Sequence, residues 1–86
     1  MANLWTGTVK ANDYVNLATV SGQTLSSGSK YGLQSYDNSF YLREGSTGKG
    51  YTVKAGTYVQ ITMGSSDIYV KPETLGSMEL NLSSEG

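Results

Sequence analysis

Apolar and polar residues alternate along most of this chain with a period of two, the spacing of strands that bury one face. Between residues 31 and 44, Leu33, Ser35, Phe40 and Leu42 occupy one set of alternate positions. Gln34, Tyr36, Tyr41 and Arg43 occupy the other. Asp37-Asn38 lies between the two runs, a pair that tolerates positive φ and favours a two-residue turn. The pattern predicts a hairpin of 31–36 with 39–44, pairing Leu33 with Leu42, Ser35 with Phe40 and Gln34 with Tyr41. A second hairpin is predicted for 57–63 and 68–71 around the turn 64–67. There Met63 would meet Ile68 and Ile61 would meet Val70, with Gln60, Thr62, Tyr69 and Lys71 on the opposite face. A slip of one residue would mix the two sets, so the alternation sets the expected register.

The remaining segments follow the same reading. Strands are expected over 4–9, 14–20, 51–53 and 77–82, with an optional edge strand near Thr24-Leu25. In 14–20, Val15, Leu17 and Thr19 alternate with Tyr14, Asn16 and Ala18. In 77–82, Met78, Leu80 and Leu82 point inward and Glu79 and Asn81 outward. Turns are expected at 10–13, 21–22, 54–56 and 72–76, with Gly56 at positive φ and Pro72 closing its strand. Gly45–Gly50 reads as a Gly-rich surface loop, and 83–86 as a frayed tail. No stretch carries a helical repeat longer than one turn. The reading is a single all-β domain over 1–86, an antiparallel sandwich or barrel of seven to eight short strands at spacings of roughly 8–12 residues.

Composition narrows the chemistry. A chain of 86 residues buries only about 60–65% of its unfolded surface, so such domains usually need outside support. It has no Cys and no His, which removes disulfides and the commonest zinc sites. It also removes the usual bases for a Ser or Cys nucleophile. Asp13, Asp37 and Asp67 fall in expected turns, where Asp binds local backbone donors. Their spacing lacks a calcium loop's ligand run, and six to eight oxygens are hard to gather from short turns. Gly48-Lys49 lacks the spacing and the following helix of a phosphate loop. Catalysis, metals and cofactors are therefore not expected. Six basic and seven acidic residues give a net charge of −1 with no basic run, so neither is nucleic acid. No apolar span reaches membrane length. Residues 1–5 lack the layout of a signal peptide, so synthesis in the cytoplasm is expected.

Seven Tyr among many Ser, Thr and Gly leave contact with proteins or sugars as the natural use of the surface. The interface candidates are Tyr36, Tyr41, Arg43, Tyr69 and Gln34, because Tyr and Arg are enriched at protein contacts. The other uses of the exposed Tyr are plain cross-strand packing and a flat platform for a sugar ring. Trp5 stands alone near the start, with its facing undecided between core and surface.

The segments Phe40-Tyr41-Leu42-Arg43-Glu44-Gly45, Gly50-Tyr51-Thr52-Val53-Lys54-Ala55-Gly56-Thr57-Tyr58-Val59-Gln60-Ile61 and Ile68-Tyr69-Val70 together resemble short all-β virion proteins of tailed bacteriophages. The resemblance covers roughly residues 38–71, and Ala55 stands where that pattern usually has Pro. It implies a non-enzymatic structural role, capsid decoration or head association foremost and neck or tail next, by oligomeric attachment to a capsid or tail lattice. A homo-oligomer is expected, a trimer among the forms open to it, with the virion as destination. The alternative is a carbohydrate-binding module or fibre-type receptor-binding domain that takes a glycan on Tyr36, Tyr41 and Tyr69.

Overall fold

The computed structural model describes residues 2–45 and 50–85. In chain order the elements are β1 (Ala2–Lys10), β2 (Val15–Asn16), α1 (Leu17–Ser21), β3 (Lys30–Ser35), β4 (Phe40–Glu44), β5 (Tyr51–Val53), β6 (Tyr58–Thr62), β7 (Ile68–Pro72) and β8 (Ser77–Ser84). They form two four-stranded antiparallel sheets. Sheet A has the order β1-β8-β3-β6, and sheet B the order β2-β7-β4-β5.

This order has a simple origin. The chain doubles back at the β4–β5 connection, and the two halves zip together as β4·β5, β3·β6, β2·β7 and β1·β8. Alternate rungs of that ribbon fall in opposite sheets. The pairings β3·β8 and β4·β7 then join the rungs within each sheet. An eight-stranded sandwich rolled from a folded ribbon is a jelly roll.

The two predicted hairpins are corrected by this topology. β3 and β4 lie in different sheets, and so do β6 and β7. Leu33 pairs with Val59 and Leu82, not Leu42. Leu42 pairs with Val70 and Tyr51. Both connections are arches that carry the chain from one sheet to the other, whereas β4–β5 is a true hairpin. The inward sets survive the correction, because an arch and a hairpin bury the same alternate residues. Leu33, Ser35, Phe40, Leu42, Ile61, Met63, Ile68, Val70, Met78, Leu80 and Leu82 are all buried. Val9, Leu17, Tyr31 and Val53 complete the core. Val15, Val59 and Trp5 are partly buried and pack against it, which gives Trp5 its facing.

The expected strand 14–20 is also corrected: β2 ends at Asn16, and residues 17–21 form one helical turn. The Asn16 side chain accepts from Ala18 N at 2.9 Å and Thr19 N at 3.4 Å. Ser21 Oγ donates to Leu17 O at 2.8 Å, and Gly22 closes the turn at φ 70°. Local side-chain bonds of this kind draw short segments away from a strand ladder. Asn16→Ala should cost about 1 kcal/mol, read as a lowered melting temperature.

Other boundaries agree more closely. Gly56 has φ 81°, and Pro72 ends β7 beside Phe40. The end of the chain differs from the expected tail: β8 runs to Ser84, Ser83 is buried, and Glu85 N donates to Lys30 O at 2.9 Å. Within the expected Gly-rich loop, residues 46–49 lie outside the described part. Among the described residues no helix is long and apolar enough to cross a membrane.

Candidate functional site

The inward residues of β4 and β7 leave Tyr41, Arg43, Tyr69 and Lys71 on the outer face of sheet B. Strand register sets each aromatic across from a cation: Arg43 faces Tyr69, and Tyr41 faces Lys71. The Arg43 guanidinium carbon lies 5.8 Å from the Tyr69 ring centroid, and Lys71 Nζ lies 5.9 Å from that of Tyr41. Both separations lie within the range of cation–π attraction.

Tyr14 completes the arrangement. It leaves the 11–14 turn with its backbone N–H bonded to Asp13 Oδ1 at 2.7 Å. Its ring lies over Arg43, with the guanidinium carbon 3.9 Å from the centroid and Lys71 Nζ at 5.9 Å. The far end of the ring reaches Gly50, where a Cβ would overlap the phenol. Tyr14 therefore crosses sheet B from the β2 side to the start of β5, and Gly50 leaves the space for it. Arg43 sits between the sheet and this ring with its Nε buried and, among the described residues, without a hydrogen-bond partner. Ring faces hold the cation, and a ring face does not neutralise the charge it attracts.

The five sequence candidates divide between the two sheets. Tyr41, Arg43 and Tyr69 come together on sheet B, joined by Tyr14 and Lys71. Gln34 points away on the outer face of sheet A, where its Nε2 donates to Gly56 O at 2.9 Å and braces the 54–57 turn. Tyr36 is exposed beside β8, its N–H bonded to Glu79 O at 2.9 Å. Gln60 and Thr62, expected beside Tyr69, also belong to sheet A. The outer face of sheet A satisfies much of its own polarity. Asn81 Nδ2 donates to Asn3 Oδ1 and to Thr6 Oγ1, Thr8 donates to Glu79, and Ser83 Oγ donates to Asn81 Oδ1.

Tyr14, expected to open the 14–20 strand, instead precedes β2 and lays its ring over Arg43 toward Gly50.

A second feature is a cleft of about 290 Å³ where the sandwich opens between β5 and β6. Leu42, Ile61 and Ile68 form its buried apolar floor, and Glu44, Tyr51 and Gln60 are among its exposed rim. Comparison with protein-family models, with curated proteins and with solved structures found no match to this chain.

Proposed function

We propose that this protein is a non-enzymatic attachment protein that binds a larger protein lattice, in several copies, through the outer face of sheet B. The observation that carries the reading is the stack of Tyr14 on Arg43, continued across the strands by Tyr69, Lys71 and Tyr41. Tyr and Arg are the side chains that most often dominate protein contacts. Here Tyr14 and Arg43 already hold each other at 3.9 Å, so less side-chain entropy is lost on docking. The charges of Arg43 and Lys71, held against ring faces, favour an acidic partner surface. The resemblance of residues 38–71 to tailed-phage virion proteins favours a phage head as that lattice, ahead of a neck or tail. Jelly rolls serve as capsid and lectin domains among others, so the scaffold is compatible with the reading and does not select it.

A sugar platform is less favoured by the same geometry. Arg43 occupies one face of the Tyr14 ring, and the site lies on the surface of a sheet. Sugar sites usually add converging polar groups in a groove.

The test is cosedimentation of the purified protein with phage heads that lack it, beside a glycan array. Wild-type protein should pellet with the heads. Tyr41→Ala and Arg43→Ala should each weaken attachment by tenfold or more, as expected for anchors worth ~2 kcal/mol. Glycan binding that is lost in Tyr41→Ala, without attachment to heads by the wild type, would overturn the reading in favour of the carbohydrate alternative.

A further inference from the structure

Leu75 sits in the connection between β7 and β8, 95% exposed and at φ 61°. Both properties are unfavourable. Left-handed backbone crowds the Cβ of an L-residue, and the apolar side chain stands in water. Gly76 follows at φ 63°, so two successive residues hold a positive φ, which Gly and Asn adopt far more readily than Leu. The turn is nevertheless firmly mounted. Asn38 Nδ2 donates to Thr74 O at 2.6 Å and to Ser77 O at 3.0 Å, and Thr74 Oγ1 donates to Asn38 Oδ1 at 3.0 Å. Ala11 N donates to Gly76 O at 2.9 Å. A strained residue held by its surroundings points toward a function, and the protomer's own core does not use this one.

The cleft lies at the other end of the sandwich. β7 runs from Ile68, beside Glu44, to Pro72, beside Phe40. Leu42, Glu44, Ile61 and Ile68 line the cleft at the Ile68 end, and the Leu75 turn follows Pro72. One molecule therefore carries an apolar knob at one end and an apolar-floored cleft toward the other. The cleft is half open, and Arg43, Glu44, Gln60 and Thr62 stand around its apolar floor. At about 290 Å³ it exceeds the roughly 150 Å³ that already accepts a benzene ring, so it has room for an isobutyl group against Leu42, Ile61 and Ile68.

We propose that Leu75 of one copy seats in the cleft of a second copy, joining protomers head to tail. Such a contact uses two different surfaces and propagates, closing into a ring or extending as a chain according to the angle between copies. With one apolar side chain as its anchor the contact is weak between free protomers. It gains strength where a lattice holds copies close together.

The test is sedimentation of the full chain in solution up to millimolar concentration. It reads self-association alone, so its outcome is separate from that of attachment to heads. The wild type should associate reversibly. Leu75→Asn should weaken association roughly ten- to hundred-fold while raising the melting temperature, because Asn tolerates a left-handed backbone better than Leu. Glu44→Trp, which fills the cleft and keeps the knob, should also be monomeric. Mixed together, the two variants should form a one-to-one dimer and nothing larger, since the first supplies a cleft and the second a knob. A wild type that stays monomeric at millimolar concentration overturns the proposal. So does a folded Leu75→Asn that associates like wild type, or a mixture that yields no dimer.

Discussion

Phe40→Ala is expected to leave the protein at the edge of unfolding. Phe40 is completely buried in β4, between Val53 of β5 and Pro72 of β7. It is the largest of the fully buried side chains. Removing a buried phenyl ring costs about 3–5 kcal/mol, from lost transfer free energy and from the cavity left behind. Domains have roughly 0.05–0.15 kcal/mol of stability per residue, so a chain of 86 residues holds about 4–13 kcal/mol in all. The measurement is the urea midpoint, with the slope of the transition checked for change. A midpoint equal to wild type would mean that the ring does not fill the space between the sheets.

The alternation of inward and outward residues accounts for both the correct core and the two misplaced hairpins. Alternation reports which residues of a strand turn inward, and it did so correctly for Leu33, Phe40, Leu42, Ile61 and Val70. It does not report which strand lies alongside. In a hairpin, two successive strands share a sheet, so their outward residues share a face. In an arch they lie in opposed sheets, and their outward residues point to opposite sides of the molecule. Both arrangements bury the same residues, so the pattern around Asp37-Asn38 fits either. The consequence for the candidate site was direct. Gln34 parted from Tyr41, and Gln60 and Thr62 parted from Tyr69, while Arg43 and Tyr69 became neighbours from separate expected hairpins. The β4·β7 pairing that unites them joins segments more than twenty residues apart, and no local turn signal encodes it.

The misread helical turn has a different cause. Val15, Leu17 and Thr19 alternate well enough for a strand, and the segment is too short for a helical period to compete. What decides the outcome is a few side-chain bonds, from Asn16 to the next N–H groups and from Ser21 back to Leu17. The Leu75-Gly76 turn was legible as a turn, and a leucine at its tip was visible, but its left-handed backbone and its tether to Asn38 were not.

Asn38→Ala is expected to cost about 1.5–4.5 kcal/mol, three hydrogen bonds at roughly 0.5–1.5 kcal/mol each. Asn38 is buried within the β3–β4 arch, and its amide is the bolt between that arch and the 74–77 turn. Nδ2 gives one proton to each of two carbonyls while Oδ1 accepts from a hydroxyl, a division of labour that suits an amide. Asn38→Asp tests this directly, because it keeps the shape and exchanges donors for acceptors. At neutral pH a carboxylate would face Thr74 O and Ser77 O with nothing to donate, so the Asp variant should be less stable than the Ala variant. In acid the protonated carboxyl regains one donor, and the Asp variant should recover part of the loss relative to Ala. Thermal melts of the two variants at neutral and acidic pH give the comparison. Sedimentation of the same proteins links the bolt to the knob, because a loosened 74–77 turn frees Leu75 from its left-handed conformation and should weaken self-association along with the fold. An Asp variant as stable as wild type at neutral pH would show that the amide protons are not what holds the turn.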